Sequence, residues 1–216
     1  MRVKRSCVTG SELRSWRVDV TEAVSQLAHP VRLVVTDDLQ RSRLTVFFRL
    51  LLVVPHVIWI YLWTIVAAFV VLIAWLVGIF TGRVPNGLHS FIASYLRYTT
   101  HVYAYVLLLA NPYPSFSANA SYPVDLQIDA PTAQSRLTIF FRLFLAIPAL
   151  LLTSVFRSVN QLIAVLMWFY TLITGQMNRG MRDLSAWLLR YELQAGAYIW
   201  LATGRYPSLA GAPTVD

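Results

Sequence analysis

At 216 residues, with 57% hydrophobic and only 13% charged residues, the chain departs from the composition of a soluble domain. Its length suffices for four membrane-spanning helices of about 20 apolar residues each, with short flanks. The net charge is +8, and 17 of the 18 basic residues are arginines that flank or enter apolar runs. Anionic lipid headgroups are therefore the expected partner, and nucleic acid is not.

The chain begins with a polar segment, residues 1–28, which we predict to be cytoplasmic. Basic residues are concentrated ahead of the first long apolar run, and such residues keep their side of a membrane protein in the cytoplasm. They are Arg2, Lys4, Arg5, Arg14, Arg17, Arg32, Arg41 and Arg43.

The remainder of the chain contains a duplication. Shifting the sequence by 93 residues aligns residues 29–116 with residues 122–209 without a gap, and 28 of the 88 aligned residues are identical. The segment SRLTVFFRLLLVVP, residues 42–55, returns as SRLTIFFRLFLAIP at residues 135–148. Because prolines, glycines and arginines stay in step, the sequence predicts two copies of one structural unit.

Each copy opens with a predicted strand and a predicted amphipathic helix. Residues 29–35 and 122–128 alternate apolar with polar or mixed side chains at period two, which predicts strands outside the membrane that pair edge to edge. The arginine-flanked segments that follow predict helices lying in the headgroup region. Pro55 and Pro148 mark the predicted points at which the chain turns into the bilayer.

Two long helices complete each predicted copy, and residues 210–216 form a tail. The four predicted spans are about residues 55–80, 91–110, 148–173 and 184–203. The predicted fold is therefore an all-α integral membrane protein with four transmembrane helices, arranged as two tandem parallel helical hairpins. Two spans per copy return the chain to the same face. We expect a multi-pass plasma-membrane protein with both termini in the cytoplasm.

The tandem pattern RLT-x-FFRLLL-x-x-PH, TGR-x-P-x-GL and LRY…AY…YP-x-F resembles an actinobacterial membrane-protein family, domain of unknown function 4389. The resemblance covers residues 29–209 and implies the architecture, but the family has no established activity and so implies no catalytic residue. The second copy departs from the pattern at several positions. It has Ala149 in place of His56, and Gln176, Met177 and Asn178 in place of Arg83, Val84 and Pro85.

Two sets of charged residues are candidate functional sites. The first set, either snorkelling anchors or selective ligands of an anionic lipid headgroup, comprises Arg43, Arg49, Arg136 and Arg142. The second set falls inside predicted spans, where a lone charge costs at least about 2.5 kcal/mol on insertion scales, and comprises Arg97, Arg190 and Glu192. Arg97 and Glu192 are predicted to lie at similar depths in the bilayer, which predicts an ion pair between them. The alternative is that each arginine snorkels to the outer surface.

No catalytic constellation is found in the sequence. The four histidines lack metal-ligand spacing, and no serine has a nucleophile-elbow context, so we expect no metal and no cofactor. The leading hypothesis is a non-catalytic accessory or scaffold subunit of a plasma-membrane complex, whose partner is another membrane protein or a second copy of this chain. A small transporter or channel is the alternative, and an enzyme of lipid metabolism is a third.

Overall fold

The computed structural model describes residues 29–118, 121–210 and 214–215, so the predicted N-terminal segment, residues 1–28, lies outside the described residues. The elements follow one another as β1 (Val31–Val35), α1 (Arg43–Leu52), α2 (Val54–Thr81), α3 (Asn86–Val106), β2 (Val124–Ile128), α4 (Arg136–Phe140), α5 (Arg142–Thr174), α6 (Arg179–Ile199) and β3 (Thr214–Val215). The order of strand, short helix, long helix and second helix occurs twice, as the duplication predicts.

Strands β1 and β2 pair in an antiparallel arrangement, which confirms the predicted edge-to-edge pairing. Leu33 lies opposite Leu126 at the centre of the ladder, and these two leucines occupy equivalent positions in the two copies. Two residues of β3 pair in parallel with the other edge of β1. Equivalent strands that pair about such a central position are related by a two-fold axis, as in a symmetric dimer.

The two copies contact each other in equivalent pairs. The indole N–H of Trp75 donates to the carbonyl of Ile139 at 3.0 Å, and that of Trp168 donates to the carbonyl of Val46 at 2.9 Å. Both tryptophans lie on long helices, and both acceptors lie on the short helix of the other copy. Each short helix therefore packs against the long helix of the other copy.

The long helices end at equivalent glycines with left-handed backbone. Gly82 after α2 has φ 71° and Gly175 after α5 has φ 74°, a conformation that glycine adopts without steric cost. The Gly82 carbonyl accepts the backbone N–H of Gln134 at 2.9 Å, and the Gly175 carbonyl accepts that of Arg41 at 3.0 Å. Each long helix is thus fixed by the segment ahead of the other copy's short helix.

Helix α3 lies between the sheet and the long helix α2. On the sheet side, Nε of Arg97 donates to the carbonyl of Leu126 at 3.3 Å. Towards the long helix, the hydroxyl groups of Tyr95 and Thr64 form a hydrogen bond of 2.7 Å. Helix α6 occupies the equivalent position between β1 and α5. The molecule is therefore layered, with the sheet first, α3 and α6 next, and the remaining helices outermost.

The prediction of four transmembrane helices is not supported. Among the described residues, two helical runs are long and apolar enough to cross a membrane by length and composition, Arg43–Thr81 and Arg142–Thr174. The other two predicted spans, residues 91–110 and 184–203, correspond to α3 and α6, whose side chains are mostly buried in the protein. An apolar helical face is satisfied by protein as well as by lipid, which hydropathy alone does not distinguish.

Pro55 and Pro148, which are equivalent in the two copies, do not both lie at a helix boundary. Helices α1 and α2 are separated at Val53, ahead of Pro55 in the first turn of α2. In the second copy the interruption falls at Phe141, and α5 continues through Pro148. A proline inside a helix removes one backbone hydrogen bond, and α5 tolerates that loss.

An apolar surface covers the outside of the outermost layer. Of the 28 residues of α2, only four small or polar ones are buried: His56, Ala67, Ala74 and Gly78. The most apolar windows of the two candidate runs are 17% and 22% buried, whereas the core helix of a soluble protein is mostly buried. We call the exposed leucine, isoleucine, valine and phenylalanine side chains of α1, α2, α4 and α5 the outer apolar surface.

Candidate functional site

Arg49 of α1 is buried at the C-terminal end of α3. It is 1% exposed, and its Nη1 donates to the carbonyls of Tyr105 at 2.6 Å and Ala110 at 3.1 Å. The guanidinium carbon lies 4.2 Å from the centroid of the Tyr105 ring, within cation–π distance. The carbonyls at a helix C-terminus carry partial negative charge and lack helical partners, so Arg49 stabilises this end of α3.

Arg142 repeats these contacts in the second copy. It is also 1% exposed, and its Nη1 donates to the carbonyls of Tyr198 at 2.5 Å and Thr203 at 3.0 Å. Its guanidinium carbon lies 4.5 Å from the centroid of the Tyr198 ring. The structure therefore places Arg49 and Arg142 inside the protein, at helix ends, and not at the exposed headgroup position expected for them.

Arg43 and Arg136, the other members of the predicted headgroup set, are exposed. A Cβ atom at Gly175 would lie 3.5 Å from Nε of Arg43, and one at Gly82 would lie 4.0 Å from Nε of Arg136. Each arginine thus lies beside the C-terminal end of the other copy's long helix, where the helix dipole favours a cation. Contact of these two residues with lipid headgroups stays a prediction.

Each buried arginine forms part of the wall of a cavity beneath the outer apolar surface. The first cavity, about 390 Å³, lies between α1, the end of α3 and α5, and its wall includes Arg49, Gln161 and Trp168. The second cavity, about 270 Å³, has Arg142 and Trp75 in its wall. Every wall residue of the second cavity is equivalent by the duplication to a wall residue of the first.

The first cavity is mainly apolar and opens towards the outer apolar surface. Leu50, Val165 and Phe169 belong both to its wall and to that exposed surface. Gln161 is the polar wall residue besides Arg49, and the second cavity has Ala68 at the equivalent position. Such a combination of apolar walls with a few polar groups is typical of sites for amphiphilic small molecules.

The two cavities differ in the hydrogen bonding of their arginines. Nη2 of Arg142 donates to Oε1 of Gln134, and only Nε of that guanidinium is buried without a partner. In the first copy Arg41 replaces Gln134, and both Nε and Nη2 of Arg49 are buried without a hydrogen-bond partner in the part of the chain that the structure describes. Nε and Nη2 form one edge of the guanidinium, the edge whose parallel N–H groups bind a carboxylate or phosphate bidentately.

Arg41, which replaces Gln134, forms hydrogen bonds with residues other than Arg49. It forms a buried ion pair with Asp37, and its Nη2 donates to the carbonyl of Leu108 at 3.0 Å. The Arg41 and Asp37 side chains are 0% and 5% exposed. Burial raises the pKa of Asp37, while the neighbouring Arg41 opposes that rise. The two opposite charges compensate each other, so Asp37 is the ion-pair partner of Arg41 and not of Arg49.

The predicted ion pair between Arg97 and Glu192 is not formed. Arg97 instead pairs with Asp125 of β2 at 2.9 Å, and Nε2 of His101 lies 3.4 Å from the same carboxylate oxygen. Glu192 pairs with Arg157 of α5 at 3.2 Å. Depth in a bilayer was the wrong guide because α3 lies flat on the sheet, which brings Asp125 within reach of Arg97.

Arg190, the third member of the predicted charge network, binds the chain that follows α6. Its Nη1 donates to the carbonyl of Ala210 at 2.9 Å, and its Nη2 donates to the carbonyl of Ser208 at 3.2 Å. Burial lowers the pKa of Arg190. The residue equivalent to Asp125 is Arg32, which cannot act as an ion-pair partner for Arg190. Backbone carbonyls supply the acceptors for Arg190 instead.

Sequence reasoning missed Arg41, Gln134, Asp125 and His101. A signal for them was present, because Arg41 aligns with Gln134 and Asp125 aligns with Arg32, so the copies differ in charge at both places. Aligned positions at which the two copies carry different residues therefore indicate the polar contacts that distinguish the copies. In the described part of the chain, no cluster of three or more histidine, cysteine or acidic residues is arranged to hold a metal ion.

Comparison with known proteins finds the same duplication. A family model described as a domain of unknown function, DUF4389, matches residues 43–118 and again residues 136–210. The two matches begin at equivalent arginines, 93 residues apart. No curated protein and no solved structure matches the chain.

Proposed function

We propose that this chain, which belongs to the DUF4389 family and carries two copies of its domain of unknown function, is a membrane-embedded, non-catalytic accessory or scaffold subunit. The observation that carries the proposal is the outer apolar surface, on which large side chains such as Phe69 and Leu151 are each 65% exposed. An apolar surface of that extent on a monomer marks a membrane or protein contact.

The contacts at the ends of α2 favour a helix that lies in one leaflet over a helix that crosses the bilayer. The Gly82 end is bound to Gln134, six residues after β2, and six extended residues reach about 20 Å. A hydrocarbon core is about 30 Å thick. A helix that crossed it would hold Gly82 on the far side from the sheet, beyond that reach.

The other end of α2 is also tied to the sheet side. The Tyr113 hydroxyl donates to the carbonyl of Leu52 at 3.2 Å, and the Tyr122 hydroxyl, two residues ahead of β2, donates to the carbonyl of Pro112 at 2.8 Å. Helix α5 is held in the equivalent way through Gly175 and Arg41. The proposal therefore has α2 and α5 embedded in the same leaflet, with the sheet and both termini on the cytoplasmic face.

This placement supports the proposed scaffold role. The embedded layer holds the sheet close to the membrane surface, where another membrane protein or a second copy of this chain is the proposed partner. The proposed lipid partners are anionic, in keeping with the exposed Arg43 and Arg136 at the edge of the embedded layer.

Single-cysteine labelling tests the embedding. On a Cys7→Ser background, Arg83→Cys probes the turn after α2, and Ser117→Cys probes the loop between the copies; both positions are exposed. With both ends of α2 on one face, a membrane-impermeant maleimide should label both positions from the cytoplasmic side only, in inverted vesicles and not in intact cells.

Ile73→Cys in the middle of α2 is the matched control, since its side chain lies on the outer apolar surface and should stay unlabelled until detergent is added. Labelling of Arg83→Cys in intact cells, with Ser117→Cys unlabelled there, would establish the multi-pass arrangement instead. Release of the wild-type chain from membranes by high salt would contradict embedding altogether. Solute or ion flux through liposomes containing the purified chain would favour the transporter alternative over the scaffold.

A further inference from the structure

We propose that the first cavity binds one anionic lipid drawn from the surrounding leaflet, with an anionic headgroup oxygen on Nε and Nη2 of Arg49 and an acyl chain along the apolar wall. The proposal deepens the proposed function, because it requires that the outer apolar surface contacts lipid.

The free edge of Arg49 is the first reason. A buried donor without a partner costs free energy, and a buried cation costs more than a neutral group. Arg49 uses only Nη1 for the end of α3, and no described residue accepts a hydrogen bond from its Nε or Nη2. Among the residues that the structure describes, no carboxylate lies within 4.0 Å of its guanidinium. An anionic oxygen is the group that satisfies both donors and the charge.

The second copy supplies an independent indication of where such an oxygen belongs. At the equivalent guanidinium of Arg142, Oε1 of Gln134 accepts from Nη2. Within the described residues, Nη2 of one arginine is therefore bound to a side-chain oxygen and Nη2 of its equivalent is not. Because Arg41 stands in the place of Gln134 and is itself bound to Asp37 and Leu108, none of the described residues supplies the equivalent acceptor for Arg49, and we assign that acceptor to a bound molecule.

The cavity identifies the source of that oxygen as a lipid. Its wall is mainly apolar and merges with the outer apolar surface at Leu50 and Phe169, so an acyl chain enters from the leaflet without crossing water. The amide of Gln161 adds a donor that the second cavity lacks. The first cavity is also the larger, at about 390 Å³ against about 270 Å³. We therefore expect one tightly held anionic lipid per chain, not two.

Native mass spectrometry of the full chain in detergent measures this stoichiometry directly. With phosphatidylglycerol the expected result is one retained lipid per chain, held about tenfold more tightly than phosphatidylcholine of the same acyl length. Both lipids carry a phosphate that can accept from Arg49, but the choline cation of phosphatidylcholine repels the buried guanidinium and has no partner in the apolar cavity. Ala164→Phe, which fills the first cavity, should abolish that preference. Val71→Phe, at the equivalent position of the second cavity, is the matched control and should leave it unchanged.

Arg41→Gln combined with Asp37→Ala gives a second variant, which introduces the second copy's residues at both positions and leaves no buried Asp37 charge unpaired. It recreates the second copy's acceptor beside Arg49, and the expected result is loss of most of the preference for phosphatidylglycerol. Equal retention of both lipids by the wild-type chain, or an equal loss in Ala164→Phe and Val71→Phe, would overturn the proposal. So would inorganic phosphate that displaces phosphatidylglycerol at equal concentration, because the acyl chain would then contribute nothing.

Vesicle flotation separates this failure from failure of the proposed function. The wild-type chain and Ala164→Phe should both float with vesicles of pure phosphatidylcholine, because embedding depends on the outer apolar surface and not on the cavity. Flotation without any phosphatidylglycerol preference would overturn the lipid site alone. Absence of flotation with either lipid would overturn the embedding and the lipid site together.

Discussion

At the scale of single residues, the duplication shows how one residue type acquires different partners. Arg49 and Arg142 keep the same carbonyl contacts through Nη1, so both stabilise a helix end. Arg97 and Arg190 are identical by alignment but not in environment, because Asp125 lies beside the first while the second binds backbone carbonyls. The contacts of the arginine are thus the same in both copies where the backbone supplies the acceptor, and they differ where a side chain of the other copy supplies it.

The Arg97–Asp125 pair gives a residue-scale prediction about stability. Asp125→Asn removes the charge that Arg97 and His101 both face, at a position where the Asp125 side chain is 12% exposed. Loss of a charged hydrogen bond at such a site should lower the free energy of unfolding by about 1–3 kcal/mol. Thermal unfolding in mild detergent, followed by tryptophan fluorescence, measures the change.

Asp129→Asn is the control for that prediction. The Arg32–Asp129 pair has the same 2.9 Å separation, but its side chains are 43% and 50% exposed. Exposed pairs contribute about 0–1 kcal/mol, so this variant should unfold close to the wild-type temperature. An equal decrease in the free energy of unfolding in the two variants would mean that burial does not strengthen the Arg97–Asp125 pair.

At the scale of elements, the sequence predicted what depends on local pattern. Period-two alternation at residues 29–35 and 122–128 predicted strands, and their pairing is confirmed. Long apolar runs predicted the helices of the outermost layer. The role of α3 and α6 was not predictable from hydropathy, because their apolar residues are covered by the sheet and by α2 and α5. The cavities were equally hidden, since their walls combine residues more than 100 positions apart, such as Arg49 and Trp168.

The helix ends allow a sharper element-scale prediction. Gly82→Ala and Gly175→Ala both place a Cβ in left-handed backbone, which costs about 1–2 kcal/mol. At Gly82 that Cβ would also lie 3.3 Å from the carbonyl oxygen of Gln134, whereas at Gly175 the nearest atom belongs to the flexible side chain of Arg43 at 3.5 Å. Gly82→Ala should therefore lower the unfolding temperature more than Gly175→Ala, and the reverse order would contradict the close approach of Gln134.

At the scale of the whole molecule, the chain resembles a symmetric dimer joined into one polypeptide. The strand pair, the two tryptophan contacts and the two glycine carbonyl contacts all relate one copy to the other. Each copy therefore uses the same patch of its surface to contact the other, as the subunits of a dimer with two-fold symmetry do. The copies have since diverged at Arg41 and Gln134, so among the described residues Nη2 of Arg142 has a side-chain acceptor and Nη2 of Arg49 has none.

If the copies associate through this interface, the linker between them is dispensable. Residues 1–120 and 121–216, expressed together as separate chains, should co-purify as a one-to-one complex that floats with phosphatidylcholine vesicles. Leu126→Asp in the second fragment, which places a charge opposite Leu33 at a position 1% exposed, should abolish co-purification. The first fragment alone should not form a stable homodimer. In the native molecule Arg97 pairs with Asp125 of the other copy, whereas in a homodimer the equivalent residue facing Arg97 would be Arg32, which has the same charge. A homodimer of residues 1–120 as stable as the mixed complex would show that this charge difference does not select the partner.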